Sequence, residues 1–156
     1  MRTIYLLGCS KRKADRPCQA EHLYQGDLFA KSLAYARLHV DDEDIRVLSA
    51  RHHVVRLDRV LDPYDETLNM MSAADRRSWG CTVTHQLTNE LGTPVQGGGI
   101  WPPMGGVHFV ILAGRKYRDV ITGMIEASQS TWEAPMAGLG IGEQLAWLND
   151  ELRRAS

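Results

Sequence analysis

The stretch Thr3-Ile4-Tyr5-Leu6-Leu7-Gly8-Cys9-Ser10-Lys11-Arg12-Lys13 decides how this chain is read. Its first half is a short, unbroken apolar run closed by glycine. A run of that length between polar flanks predicts a buried central strand over residues 3–8. It is too short for a signal peptide and far too short to cross a bilayer. Its second half turns polar at once: a thiol, a hydroxyl and three cations follow the glycine. In open α/β sheets, ligands sit outside the carboxyl ends of the strands, so a loop of this kind is a candidate site by position.

Working outward, the same alternation recurs. Asp27 is placed to cap a helix over about 28–39, with Leu28, Phe29, Leu33, Ala34 and Ala36 at helical spacing. Residues 45–50 (IRVLSA) read as a second strand, followed by a long loop. Ser72 opens a helix through about Leu91, with Asp75 in the capping-box position. Residues 92–106 are rich in Gly and Pro and read as a flexible insertion. Residues 107–113 (VHFVILA) are the clearest strand; Gly114 ends it and 115–127 continue as a helix. A short strand at 131–134 and a closing helix carrying Leu145, Trp147, Leu148 and Leu152 complete the chain. Strands alternating with helices predict one α/β domain over 1–156, a three-layer sandwich with a short, mostly parallel sheet of about four strands.

The bulk numbers narrow the function classes. Net charge is −1 and the pI about 6.6, so contact with nucleic acid must rest on local basic loops and not on a general cationic field. Three cysteines (Cys9, Cys18 and Cys81) without a C-x-x-C spacing fit free thiols in a reducing, cytoplasmic setting. No metal or organic cofactor is called for, and no membrane partner.

Five constellations carry chemistry. The loop Gly8 to Lys13 offers backbone amides, the Ser10 hydroxyl and the cations Lys11 and Lys13 to an anion; it lacks the Walker A spacing. Cys9 beside those cations is a possible nucleophile, against the plainer reading of a small buried residue. Ser49, Arg51 and His52 follow the second strand, and His52 is a candidate general acid or base. In Asp62-Pro63-Tyr64-Asp65, either carboxylate could act as base or stabilise a developing cation, and Tyr64 could stack on a base or sugar. Gly114-Arg115-Lys116-Tyr117 repeats the first loop's recipe of strand, glycine and cations. Gly138, Gly140 and Gly142 precede the last helix and permit close approach of a ligand to its first amides. A solvated turn or tight helix packing is the bland alternative for each. Their shared place at strand ends is what favours a common pocket.

The ordered set Cys9-Ser10-Lys11-Arg12-Lys13, Leu48-Ser49-Ala50-Arg51-His52, Leu61-Asp62-Pro63-Tyr64-Asp65, Leu112-Ala113-Gly114-Arg115-Lys116-Tyr117 and Gly138-Leu139-Gly140-Ile141-Gly142 resembles a DUF6884-type family of small bacterial and phage proteins, sometimes labelled YaaA-like peroxide-stress proteins. The resemblance runs over nearly the whole chain. Members read Ser-Ala-Lys-His-Gly where this chain has Ser49-Ala50-Arg51-His52-His53, and the 92–106 stretch is an insertion against that pattern. The resemblance implies links to DNA binding and oxidative stress. The first loop is also similar to one in archaeosine-synthase-type domains, which handle modified bases.

Together these features lead to an expected enzyme of nucleotides or nucleic-acid bases, glycosylase-like, cleaving or exchanging an N-glycosidic bond. In that reading Lys11, Lys13 and Arg51 hold phosphate, Tyr64 or Tyr117 stacks on the base, and Asp62 and His52 serve as catalytic groups. A non-catalytic nucleotide- or nucleic-acid-binding module (in stress response or phage defence) and a thiol redox protein using Cys9 are the alternatives.

Overall fold

The computed structural model describes residues 2–92 and 106–156. Strand β1 (Arg2–Gly8) is followed by the short β2 (Cys18–Gln19), helix α1 (Ala20–Leu23) and helix α2 (Asp27–Arg37). Then come β3 (Ile45–Ser49), β4 (His53–Arg56), β5 (Val60–Leu61) and the long α3 (Ala73–Leu91). After the segment outside the described residues, β6 (Val107–Leu112), α4 (Arg115–Arg118), α5 (Thr122–Ala127), β7 (Thr131–Glu133) and α6 (Ile141–Arg154) close the chain. The predicted 92–106 insertion lies almost wholly outside the described residues.

The main sheet has the order β4-β3-β1-β6-β7. Strands β3, β1, β6 and β7 are parallel, and β4 returns antiparallel on the β3 edge. This is the expected α/β sandwich with one more strand than the sequence suggested. The crossover from β1 to β3 runs one way along the sheet and that from β3 to β6 runs back. Right-handed connections therefore put α2 and α3 on opposite faces. Helix α6 packs on α2, with Trp147 edge-on to Tyr35 at 5.1 Å between ring centroids. Helices α4 and α5 pack against α3. Ile4, Leu6 and Leu7 have no exposed surface, as a central strand covered on both faces requires.

The reversal of strand order falls between β1 and β6, and their ends are level. Leu7 pairs with Leu112 in the register, so Gly8 and Ala113 leave the sheet side by side. A Cβ on Gly8 would stand 3.2 Å from the Cα of Ala113, so the two strand ends pack closely here. The crevice beyond this point is where a doubly wound sheet holds its ligand.

Local readings differ from the sequence in three places. Asp27 lies inside the first turn of α2 and the cap position is Gly26, at φ 111°, which no side chain caps. The carboxylate still opposes the positive helix end. The single helix expected over 115–127 breaks into α4 and α5. The cause lies opposite, in α3. A Cβ on Gly80 would be 2.3 Å from the Val120 carbonyl oxygen, so α3 meets this break backbone to backbone. The strand β4 was hidden because it is only four residues long. It begins at His53, whose φ of 67° makes the turn from β3. The cap at Ser72 is as read: its hydroxyl accepts from the Asp75 amide at 3.1 Å.

Candidate functional site

The first loop is built around Lys13. Its ammonium donates to the carbonyls of Ser10 at 2.8 Å and Lys11 at 3.3 Å, and lies 4.3 Å from the Tyr64 ring centre. The loop is further closed by the Ser10 hydroxyl donating to the Arg12 carbonyl at 2.6 Å. Burial lowers the Lys13 pKa, against the pull of Cys9, Asp65 and Glu66. Lys13 is thus a staple for the loop, while Lys11 points out to solvent at the cavity wall.

Behind the loop lies a buried hydroxyl cluster. The Tyr64 hydroxyl is 2.6 Å from that of Tyr24 and 2.7 Å from the Ser49 hydroxyl. Ser49 has no exposed surface; its oxygen also accepts from the His52 amide at 2.9 Å, and its carbonyl accepts from the Trp79 indole at 2.9 Å. Burial pushes the Tyr24 hydroxyl up to about 12 and Tyr64 higher still, so both stay protonated. Ser49 and Tyr64 therefore act inside the wall. Lys13 covers one face of the Tyr64 ring.

In front of this wall is a chamber of about 470 Å³. Its floor is Cys9, whose sulfur lies 3.2 Å from the Tyr117 hydroxyl. Tyr117 is pinned edge-on by Trp79 at 5.4 Å, and burial followed by Cys9 raises its pKa, so it is a fixed donor at neutral pH. Asp65, Glu66, Asn69 and the exposed Met70 also line it, on the turn whose Leu68 backbone hydrogen-bonds the Tyr117 hydroxyl. Thr67 sets this rim by capping the following turn, its hydroxyl accepting from the Asn69 amide at 2.9 Å. Arg51 reaches Glu66 at 3.5 Å in an exposed ion pair.

A smaller cavity of about 110 Å³, the neck, adjoins it at the switch point. Cys9, Ser10 and Tyr117 border both the chamber and the neck. Ala113, Gly114, Met136 and Gln144 border both the neck and a second chamber of about 390 Å³. Gly138 and Gly140 line that second chamber together with Arg115 and Arg118. Gly138 needs its glycine, since φ is 82°. The loops after β1 and β6, the 65–70 turn and the start of α6 thus line a row of three adjoining cavities, the trough.

Some expected residues stay outside it. Asp62 is exposed and borders neither chamber nor neck, whereas Asp65, three residues on, borders the first chamber. His52 sits behind the wall, its ring edge-on to Tyr64 at 5.5 Å. Burial lowers its pKa first, and Arg59 and Arg51 add to this, so it is neutral at pH 7. Gly142 lies in the first turn of α6, beyond the cavity lining. Glu66, Met70, Gln144 and Arg118 carried no signal in the sequence, because only the topology brings them to the trough. Thr67 could have been found from its capping pattern with Asn69.

Among the described residues no cluster of His, Cys, Asp and Glu could hold a metal ion, and no helix is long and apolar enough to cross a membrane. No curated protein matches the sequence. The model of a family of unknown function, DUF6884, matches residues 4–150, nearly all of the chain, and the protein belongs to that family.

Proposed function

We propose that the protein is an enzyme acting on a nucleotide or nucleic-acid base, cleaving or exchanging its N-glycosidic bond. The observation that carries this reading is the first chamber: about 470 Å³, open to solvent, and lined by two carboxylates, a tyrosine hydroxyl and a thiol. That volume falls in the ordinary range for small-ligand sites. Asn69 and Thr67 supply directional hydrogen bonds for a sugar or base edge, and Met70 an adaptable apolar contact. Asp65 or Glu66 accepts the proton of a water that adds to the anomeric carbon, and the negative charge stabilises the oxocarbenium-like centre. The bond to the base nitrogen breaks with its electron pair going to the base, which the Tyr117 hydroxyl receives by hydrogen bonding.

Chromatography of free base tests this directly. Nucleosides, nucleoside monophosphates and a single-stranded oligonucleotide are incubated with the protein. At least one should release base, and Asp65→Asn with Glu66→Gln should slow release by about 10²–10⁴-fold, the usual worth of a general base. A protein that binds nucleotides and releases no base is a binding module. Full base release in the double variant removes Asp65 and Glu66 from the mechanism and leaves the glycosidic reading standing.

A further inference from the structure

We infer that the ligand's phosphate sits at the α6 end of the trough, on Arg118 and Arg115 beside the start of α6, and not on the Lys11–Lys13 loop. This rests on the nucleotide reading above and adds the direction in which the ligand lies. The second chamber is lined by two arginines, and no carboxylate is among its described lining residues. The first chamber holds Asp65 and Glu66 against Lys11 alone. The trough is therefore polar in charge along its length, and an anionic group is favoured at one end only.

Three further observations converge there. The Nε of Arg118 is enclosed by protein and has no hydrogen-bond partner among the described residues. The Nε is sealed from the cavity, so a phosphate there would meet the rest of the Arg118 fork, which fits its oxygens. The loop Gly138–Gly140 leads into α6, a helix of fourteen residues, and this loop lines the cavity. Glu143 takes the Gly140 amide at 3.2 Å, which leaves the next amides of the first turn without an intrahelical acceptor. Finally, the rival cation is engaged: Lys13 is held by two carbonyls of its own loop. Arg115 also pairs with Asp119 at 3.2 Å, an exposed contact that competes weakly with a doubly charged anion. With phosphate at this end, the neck between Cys9 and Gly114 carries the sugar, and its anomeric carbon faces Asp65 and Glu66.

Isothermal titration with inorganic phosphate and with ribose 5-phosphate tests the assignment. Wild type should bind both. Arg118→Met should weaken both by about tenfold or more, as expected for a lost charge-assisted bond, while Lys11→Met changes them less than about twofold. If Arg118→Met fails to melt cooperatively, Gly142→Asp decides. A Cβ there meets nothing within 4 Å, and a carboxylate suits the helix end yet repels phosphate. It should weaken phosphate by about fivefold or more. Loss of binding in Lys11→Met with wild-type affinity in Arg118→Met or Gly142→Asp overturns the assignment, as does a wild type that binds neither probe. Phosphate binding as expected with no base release from any nucleoside leaves the phosphate seat standing and removes the glycosidic reading. Base release with no effect at Arg118 does the reverse.

Discussion

Two loops leave neighbouring strands by the same recipe. After β1 the chain reads Gly8-Cys9-Ser10-Lys11-Arg12-Lys13; after β6 it reads Gly114-Arg115-Lys116-Tyr117-Arg118. Each has a glycine at the strand end and cations directly behind it. The structure uses them in opposite ways. In the first, Lys13 turns inward and is consumed by the carbonyls of Ser10 and Lys11 and by the face of Tyr64. In the second, Arg118 lines a cavity, and its enclosed Nε has no partner among the described residues. The lesson is that a run of cations locates a loop and does not say which charge is left for a ligand. Carbonyls within reach decide that, and they belong to the folded loop.

The largest way to break the comparison is to remove what positions the second loop. Gly80 of α3 lets Val120 approach to backbone contact just after α4. Gly80→Ala should cost about 3 kcal/mol, at the upper end for overpacking, because the atom in the way is a backbone carbonyl. Urea unfolding would show it. A loss below about 0.5 kcal/mol would mean that the close contact does not hold α4 in place.

Next comes the direct contrast of the two cations. Lys13→Met removes two charge-assisted bonds and a ring contact, and is expected to lower stability by about 2 kcal/mol. Arg118→Met removes a donor with no partner and should stay within about 0.5 kcal/mol of wild type. The same unfolding curves read both. Equal losses would erase the distinction between a staple and a ligand-binding arginine.

The smallest effect concerns the turn that the first loop leans on. His53 holds φ at 67°, a left-handed conformation that costs a side-chain-bearing residue about 1 kcal/mol, and it stacks on Trp79 at 6.5 Å. His53→Gly should therefore gain about 0.5 kcal/mol at pH 7, with the lost stacking offsetting part of the relief. Acid adds a second reading. Burial lowers the pKa of both His52 and His53 below the usual 6.5. The unfolded chain then takes up their protons first, so stability falls as pH drops through about 6.5. Removing His53 should make that fall shallower. A steeper fall, measured as melting temperature from pH 7 to 5, would contradict the assignment.

The parallel frame was legible in the sequence because each of its longer strands is a short apolar run with turn residues at both ends. Residues 4–7, 45–49 and 107–112 read correctly on that ground alone. Strand β4 was not legible: His53 to Arg56 is too short to show a period, and its left-handed first residue carries none of the usual glycine signal. The break between α4 and α5 was equally silent, since its cause is a glycine forty residues earlier. The same division runs through the site. Cys9, Ser10, Lys11, Gly114, Tyr117, Gly138 and Gly140 all border the trough. Ser49, Tyr64 and Lys13 are polar for an internal reason, the hydroxyl cluster and the loop staple. Their residue types look the same either way, and only burial separates the two uses. Asp62 and Asp65 flank one turn, and the three-residue offset that brings Asp65 to the chamber is set by tertiary contact.

The most direct test is a crystal structure of the protein with ribose 5-phosphate. The account predicts phosphate oxygens within hydrogen-bond distance of the Arg118 guanidinium at the start of α6, with the anomeric carbon in the first chamber facing Asp65 and Glu66. Phosphate seated on Lys11 and Ser10, with the sugar directed away from those carboxylates, would contradict it.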